Sequence, residues 1–548
     1  MRKKVQFPAW FLAGAALLAV AFFAAAASAG TNASRVAKKG GTLNFGVANS
    51  DVDFSDPALA YGVLSWEIEY ATCVKLMNYP DKSGAEGSRL TPEAAAGFPT
   101  VSSNGKTYTF TIKPGFKFNT GAPVTAASFA AAINRDADPN MNSPVVPFVT
   151  DIVGLNAVVN KQATTVSGVI AKGNKLTINL TTQDGGILDK LAMPFFCAIP
   201  TNLPHDPKGV TTLPGAGPYY IASRDIGKQL VLKRNPNYHG SRPANADVMV
   251  FTMNTNPQQT YLGVRAGQYA TDPSGLDSPT AAPDLAKEFG INKGRFFVNQ
   301  LLETDYVALN ASRPAFASVA MRKAANYALD RRAMLNVRGY ASGVKTSQIL
   351  PPGLSAGYWG AKGLYPIKAP DPATAKKMAG GKCGNVNLWY ANGPTGTPQS
   401  QVFKYNLETS LGCKVTTKPF QGFAIYNAAG VKGADYDAMF GGWNADYPDA
   451  FDFFHILLDG TTIHATNNNN LAYINDAGLN KRIAQANLLT GDARAKAYGQ
   501  LDVYTMQNVA PWAPIDNRNQ RDFIAPNVTG YLFQPAYAAI DLGVLSLK

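Results

Sequence analysis

Histidine and cysteine are scarce, four of each in 548 residues. His205, His239, His455 and His464 are scattered without ligand spacing, so neither a zinc site nor a nucleophile–base pair is supported. There is no P-loop. Two motif look-alikes fail in context. Gly353-Leu354-Ser355-Ala356-Gly357 carries the letters of a hydrolase elbow, but Pro351-Pro352 stands where the preceding strand belongs, and no helix pattern follows. Asp136-Ala137-Asp138-Pro139-Asn140 opens like a calcium loop, then places Met141 where glycine is needed and Pro147 where the bidentate glutamate belongs. The sequence offers no catalytic set, no metal ligands and no cofactor motif.

Long apolar runs are missing beyond the N-terminal segment, which excludes a later membrane-spanning helix. Long basic runs are missing too. The formal charge is +13, with three of those cations in Arg2-Lys3-Lys4, and no later run exceeds Arg331-Arg332 or Lys376-Lys377. A nucleic-acid binder clusters its cations among aromatics. Here they are dispersed, which points to surface solubility or an acidic envelope and to no nucleic-acid partner.

Arg2-Lys3-Lys4, the apolar run from Ala9 to Ala27 and the small residues Ala27-Ser28-Ala29 form a secretory signal, residues 1–29. Left uncut, the run would act as an anchor, and the A-x-A favours cleavage. No cysteine follows the run, so a lipid-anchored mature N-terminus is not expected. The expectation is an exported chain, periplasmic or at the cell surface, with 30–41 as a flexible linker. Export permits disulfides. Cys383 and Cys413 flank one strand–helix unit, and Cys73 and Cys197 both lie in the first half, which favours Cys383–Cys413 and Cys73–Cys197. The connectivity stays open from sequence alone.

The length calls for two or more lobes. In the first part, Thr42 to Val47 and Thr107 to Ile112 alternate as strands, Lys113-Pro114-Gly115 turns into Phe116-Lys117-Phe118, and Thr125 caps a helix from Ala126 to Arg135. The character changes near residue 300. Tyr306 to Asn310 reads as a short apolar strand and Ser318 to Leu335 as a helix. Asn385 to Tyr390, Gln399 to Leu411 and Cys413 to Thr417 follow as strand, helix and strand, with Gly412 as the C′ glycine. This alternation implies a parallel sheet in an α/β lobe. A helix from Asp492 is broken by Pro511-Trp512-Ala513-Pro514, and Asn467 to Asn470 reads as a surface loop.

One stretch stands apart. Tyr436 to Phe440 reads as a strand, and Gly441-Gly442-Trp443-Asn444-Ala445-Asp446-Tyr447-Pro448-Asp449 leaves it, because Pro448 removes a ladder donor. It combines paired glycines, an indole and two carboxylates three apart, with Tyr447 and Pro448 stiffening the loop between them. With no metal set nearby, an unpaired carboxylate here suits a cationic ligand group. A solvated surface turn explains the same letters equally well.

Several stretches, in order and at this spacing, resemble one family. They are Asp53 to Pro57; Tyr108-Thr109-Phe110 through Phe118-Asn119-Thr120-Gly121-Ala122-Pro123-Val124-Thr125-Ala126; Gly217-Pro218-Tyr219; and Arg234-Asn235-Pro236-Asn237-Tyr238. Further on come Met321 to Arg331, Leu350-Pro351-Pro352-Gly353, Trp443 to Asp449 and Ala510 to Pro514. They look like the extracytoplasmic solute-binding proteins of bacterial dipeptide and oligopeptide ABC transporters, solute-binding family five.

The resemblance implies an α/β, two-lobed periplasmic-binding-protein (Venus-flytrap) fold with an enlarged first lobe. Residues 42–302 and 511–548 would form lobe one, and 303–510 lobe two. It implies hinge closure on a ligand and docking on an ABC permease with cytoplasmic ATPase subunits, by a monomer that is not an enzyme and carries no cofactor. In peptide-binding members the aspartate of a W-x-x-D stretch pairs with the ligand's α-ammonium, which places Asp446 in that role after Trp443. Trp443 would be a cleft wall with Tyr447 beside it, and Asp51, Val52 and Asp53 would offer strand-like contacts from lobe one.

The sequence departs from the pattern after Val386 to Tyr390. Dipeptide binders carry an arginine there for the ligand's carboxylate, whereas Ala391-Asn392-Gly393-Pro394-Thr395-Gly396-Thr397 holds no cation. A dipeptide ligand therefore loses ground to a longer peptide. An oligosaccharide stacked on Trp66, Trp389 or Trp443, a metal complex or another small solute stays open, as does a ligand-sensing receptor subunit. A secreted hydrolase is the contrasting class and lacks its nucleophile.

Overall fold

The computed structural model describes residues 39–276, 280–354, 360–361, 363–381 and 383–548. The 1–29 segment, most of the 30–41 linker and Ser355-Ala356-Gly357 of the elbow look-alike lie outside them.

Period-two burial builds the first sheet. In β1 (Thr42–Ala48) Leu43, Phe45 and Val47 face inward. Helix α1 (Val63–Thr72) is almost wholly buried. Strand β2 (Thr107–Thr111) buries Tyr108 and Phe110, and α2 (Ala126–Ala137) starts at a capping box between Thr125 and Ser128. Strand β3 (Lys175–Asn179) pairs antiparallel with β2 and with Val169–Lys172. Phe116 to Phe118, after the turn, adds only a bridge from Lys117 to Pro123. Strands β4 (Tyr219–Asp225), β5 (Gln229–Arg234) and β6 (Val248–Thr255) join β1 in the order β1-β6-β5-β4, with β1 parallel to β6.

Strand β7 runs Phe296–Leu309, far longer than the expected Tyr306 to Asn310. Its middle carries Asn299, Gln300, Glu303, Thr304 and Asp305, and that polarity hides strand character from a hydrophobic-pattern reading. The expected single helix splits into α3 (Val319–Ala328) and α4 (Arg331–Arg338). Leu329 is extended, and the Asp330 carboxylate accepts the N–H groups of Arg332 and Ala333, both at 3.0 Å, so a side-chain cap starts a new helix.

Next come β8 (Asn385–Ala391), α5 (Gly396–Leu411) and β9 (Lys414–Phe420). Gly412 between the last two sits at φ +70°, a conformation that favours glycine. Strand β10 (Ala438–Asn444) extends four residues beyond Phe440, so Trp443 lies within the strand. Helices α6 (Phe451–Leu458), α7 (Ala477–Asn487) and α8 (Gly491–Asn508) lead to β11 (Trp512–Phe523). The six-stranded order is Gly343–Lys345, β11, β7, β10, β8, β9. Strand β8 is parallel to β9 and β10, while β7 is antiparallel to β10 and β11. Asn467 to Asn470 is not merely surface. Asn468 and Asn470 are buried and donate to the carbonyls of Gly430 at 2.8 Å and Ile474 at 2.9 Å.

Strands β7 and β11 connect two cores. Phe296 and Phe523 pack with Leu43, Leu230 and Met249, whereas Val307, Leu309, Ala513 and Ile515 pack with Leu388 and Phe403. Their register breaks between Gln300 and Thr304. After β11 the chain returns to the first core through Ile524, Val528 and Leu545. The result is a two-lobed α/β fold crossed by two adjacent strands. Cys73 is joined to Cys197 and Cys383 to Cys413, with Cα atoms 5.5 and 4.7 Å apart. Among the described residues no helix is long and apolar enough to cross a membrane.

Candidate functional site

Strands β8, β9 and β10 share one direction, so Ala391, Phe420 and Asn444 end on one edge of the second lobe's sheet. Ligands of open α/β sheets bind beyond such carboxyl ends. The residues from Ala445 to Ala450 leave this edge directly into α6.

Gly442 sits there because the site allows nothing larger. A Cβ would lie 2.2 Å from Asp305 Oδ1. Asp305 belongs to a charged cluster on the crossing strands, with Glu303, Asp516, Arg338 and Arg518. Arg518 is committed to Glu303 at 3.0 Å.

One residue further, the Trp443 indole Nε1–H donates to Asp452 Oδ2 at 2.8 Å, and the Asp446 N–H donates to the same oxygen at 3.0 Å. Asp452, in the first turn of α6, therefore fixes both the indole and the turn. The Asp446 side chain points toward the first lobe, where the Tyr61 hydroxyl donates to its Oδ2 at 2.8 Å. Asp446 is 9% exposed. Burial first, then Asp452, lifts its carboxyl well above the usual range, and burial pushes Asp452 up to about 7. Burial, followed by Asp446, also raises the Tyr61 hydroxyl, which stays a donor.

The other predicted residues take different places. Tyr447 is fully buried, edge-on to Phe148 of the first lobe with ring centres 6.4 Å apart, and its hydroxyl has no hydrogen-bond partner. Asp449 accepts two bonds from Arg494, both at 2.7 Å, and so fastens the turn to α8.

In the first lobe, the Asp51 carboxylate accepts the N–H groups of Val52 at 2.7 Å and Gly227 at 2.6 Å. Asp53 accepts from Phe54, from the Ser65 hydroxyl, and from the N–H groups of Tyr61 at 2.9 Å and Gly62 at 2.8 Å. The Val52 carbonyl is taken by Arg224 at 2.6 Å. These three residues are tied into their own loop, and Asp53 sets the backbone that presents Tyr61. Trp66 and Trp389 are buried, which leaves Trp443 as the half-exposed indole of the three.

Tyr61 and Asp452 went unnoticed in the sequence. One tyrosine among 24 in the chain carries no local mark. Asp452 reads as an ordinary acidic residue in a helix's first turn. Among the described residues no three His, Cys, Asp or Glu side chains are grouped to hold a metal ion.

Residues 89–465 match the model of the bacterial extracellular solute-binding proteins, family 5 (middle region). The chain belongs to this family. This family 5 protein is 25% identical over 505 residues to the periplasmic oligopeptide-binding protein OppA of Haemophilus influenzae, covering 87% of this chain and 88% of that one. It is 24% identical over 463 residues to heme-binding protein A of the same organism, covering 79% and 80%. Among solved structures, clavulanic acid biosynthesis oligopeptide binding protein 2 superposes with a TM-score of 0.83 at 22% identity, covering 93% of this chain and 96% of that chain. That likeness agrees with the two-lobed architecture.

Proposed function

We propose that this family 5 protein is the binding component of an ABC importer. It captures peptides between its lobes and delivers them to a membrane permease served by cytoplasmic ATPase subunits. The observation that carries this reading is Asp446. It is a buried carboxyl at the seam of the lobes, with no ion-pair partner among the described residues and a single donor from the opposite lobe. A buried acid of this kind is costly unless a cation joins it, and a peptide's N-terminal ammonium is such a cation.

Lobe two comprises residues from 303 through the first part of β11, whose Ala513 and Ile515 pack in its core, and lobe one residues 42–302 with the rest of the chain. Closure thus brings Tyr61 and Asp446 together around the ligand. The protein works as an exported monomer, periplasmic or at the cell surface, and performs no chemistry on its ligand. Ala391 to Thr397 holds no cation for a ligand carboxylate, which favours peptides longer than two residues.

A second reading, another solute in the same cleft, is favoured by the heme-binding relative at comparable identity. A stacked sugar is disfavoured by the burial of Trp66 and Trp389. Native mass spectrometry of the purified protein, with gentle release of co-purified ligand, tests the assignment. Small peptides retained by the wild type and lost in Asp446→Ala are expected. One non-peptide mass, indifferent to that substitution, would refute the peptide reading.

A further inference from the structure

The oxygens around Asp446 leave a pattern that a single-carboxylate anchor does not explain. Asp452 is fully buried. Its Oδ2 takes both the Trp443 and the Asp446 N–H donors, while its Oδ1 has no hydrogen-bond donor. The two carboxyls lie within hydrogen-bond reach of one another, and burial with mutual repulsion keeps Asp446 as the partner that holds the proton.

The charges facing the pair are few. From the turn come the Tyr447 hydroxyl and Asp449, and from the first lobe Tyr61, with Asp184 beyond Tyr447. Asp449 is neutralised by Arg494 and Asp184 by Lys190 at 2.7 Å. Among the described residues no cation pairs with Asp446 or Asp452.

We propose that Asp446 and Asp452 form a two-carboxyl cation site, closed from the first lobe by Tyr61, that takes up a ligand ammonium in exchange for the proton the pair shares. This rests on the reading of the cleft as a cation site. The balance is simple. Above about pH 7, where Asp452 has ionised, the empty pair carries one proton and one negative charge. When an ammonium enters, the Asp446 O–H bond breaks and the proton passes to solvent, so two carboxylates face one cation. The net charge of the buried site is the same before and after, so the added carboxylate is matched by the cation that enters. Tyr61 keeps its proton and donates to Asp446 in both forms, which makes it a positioning residue.

Linkage then sets the size of the effect. Where the pair holds one proton, its release makes affinity rise about ten-fold per pH unit. The probe is a pool of short alanine peptides, free and N-acetylated, with binding read at about pH 6 and about pH 8. In the wild type the free pool is expected to bind more tightly at the higher pH. Asp452→Asn removes the neighbour that helps hold the Asp446 proton and should displace the slope to lower pH, and Asp446→Asn should lose binding at both values. Tyr61→Phe should weaken binding at both values while keeping the slope, and an unchanged affinity would overturn its closing role.

Equal wild-type binding at the two pH values would overturn the exchange and leave the cation site standing. Equal binding of the acetylated pool would overturn the cation site itself. Carboxyl NMR of aspartate-labelled protein decides the matter without any ligand. A carboxyl titrating at or above neutrality, assigned to Asp446 by its loss in Asp446→Asn and moved to lower pH in Asp452→Asn, supports the shared proton. Two carboxyls ionised by about pH 5 would sink it.

Discussion

At the scale of single residues, the proposed site separates side chains assigned to the ligand, such as Asp446, from those that hold the turn. Tyr447 belongs to the second kind. Its ring fills space against Phe148, and its hydroxyl is buried without a partner. An unsatisfied hydroxyl costs about 1–3 kcal/mol. Tyr447→Phe is therefore expected to leave ligand binding unchanged and to raise stability by about 1 kcal/mol, whereas Tyr447→Ala should lose about 3–5 kcal/mol. Urea unfolding with and without bound ligand checks both. A loss of binding in Tyr447→Phe would return this residue to the ligand's contacts. The loop from Asp51 to Asp53 illustrates the same distinction, since its carboxylates are spent on backbone N–H groups and its contribution to the site is the placement of Tyr61.

At the scale of elements, the two disulfides close very different stretches, 124 residues for Cys73–Cys197 and 30 for Cys383–Cys413. Chain entropy assigns them about 5 and about 4 kcal/mol. Replacing the first pair by alanine should lower the unfolding midpoint more than replacing the second, by about 1 kcal/mol. Equal losses would mean that native packing around the bridges decides.

Elements also show what the sequence made legible. Strands with clean alternation, such as β2 and β8, and the helix ending at Gly412 follow from apolar period and glycine chemistry. The middle of β7 does not, because its polar side chains answer to partners on β11 and α4 that are far away in sequence. The split between α3 and α4 turns on one side-chain cap at Asp330, which a helix-period reading passes over. Trp443 and Asp446 were readable as a stretch. Tyr61 and Asp452 were not, since only folding brings them to it.

At the scale of the whole molecule, buried acids set the response to pH. Burial pushes Asp189, Asp272 and Asp516 up to about 7, and Asp502 and Asp522 up to about 6. A carboxyl whose folded pKa lies above its unfolded value, near 4, holds its proton more firmly in the folded state. The stability it contributes is complete below that unfolded value and is lost as pH rises through the folded one. The five act in the same direction, so the melting temperature should fall from about pH 5 to about pH 8. A calorimetric scan across that window checks this, and a rising melting temperature would refute it.

The return of the chain to its first core has a consequence for how the protein is made. Leu43, Phe45 and Met249 are synthesised early, yet the core they share needs Phe523, Ile524 and Leu545, which come from the last part of the chain. The second lobe's core, by contrast, draws on a stretch from Val307 to Ile515 that emerges almost without interruption. Domains fold as units as they leave the ribosome. The lobe that is begun first is thus completed last, and it waits with one core open while the other assembles.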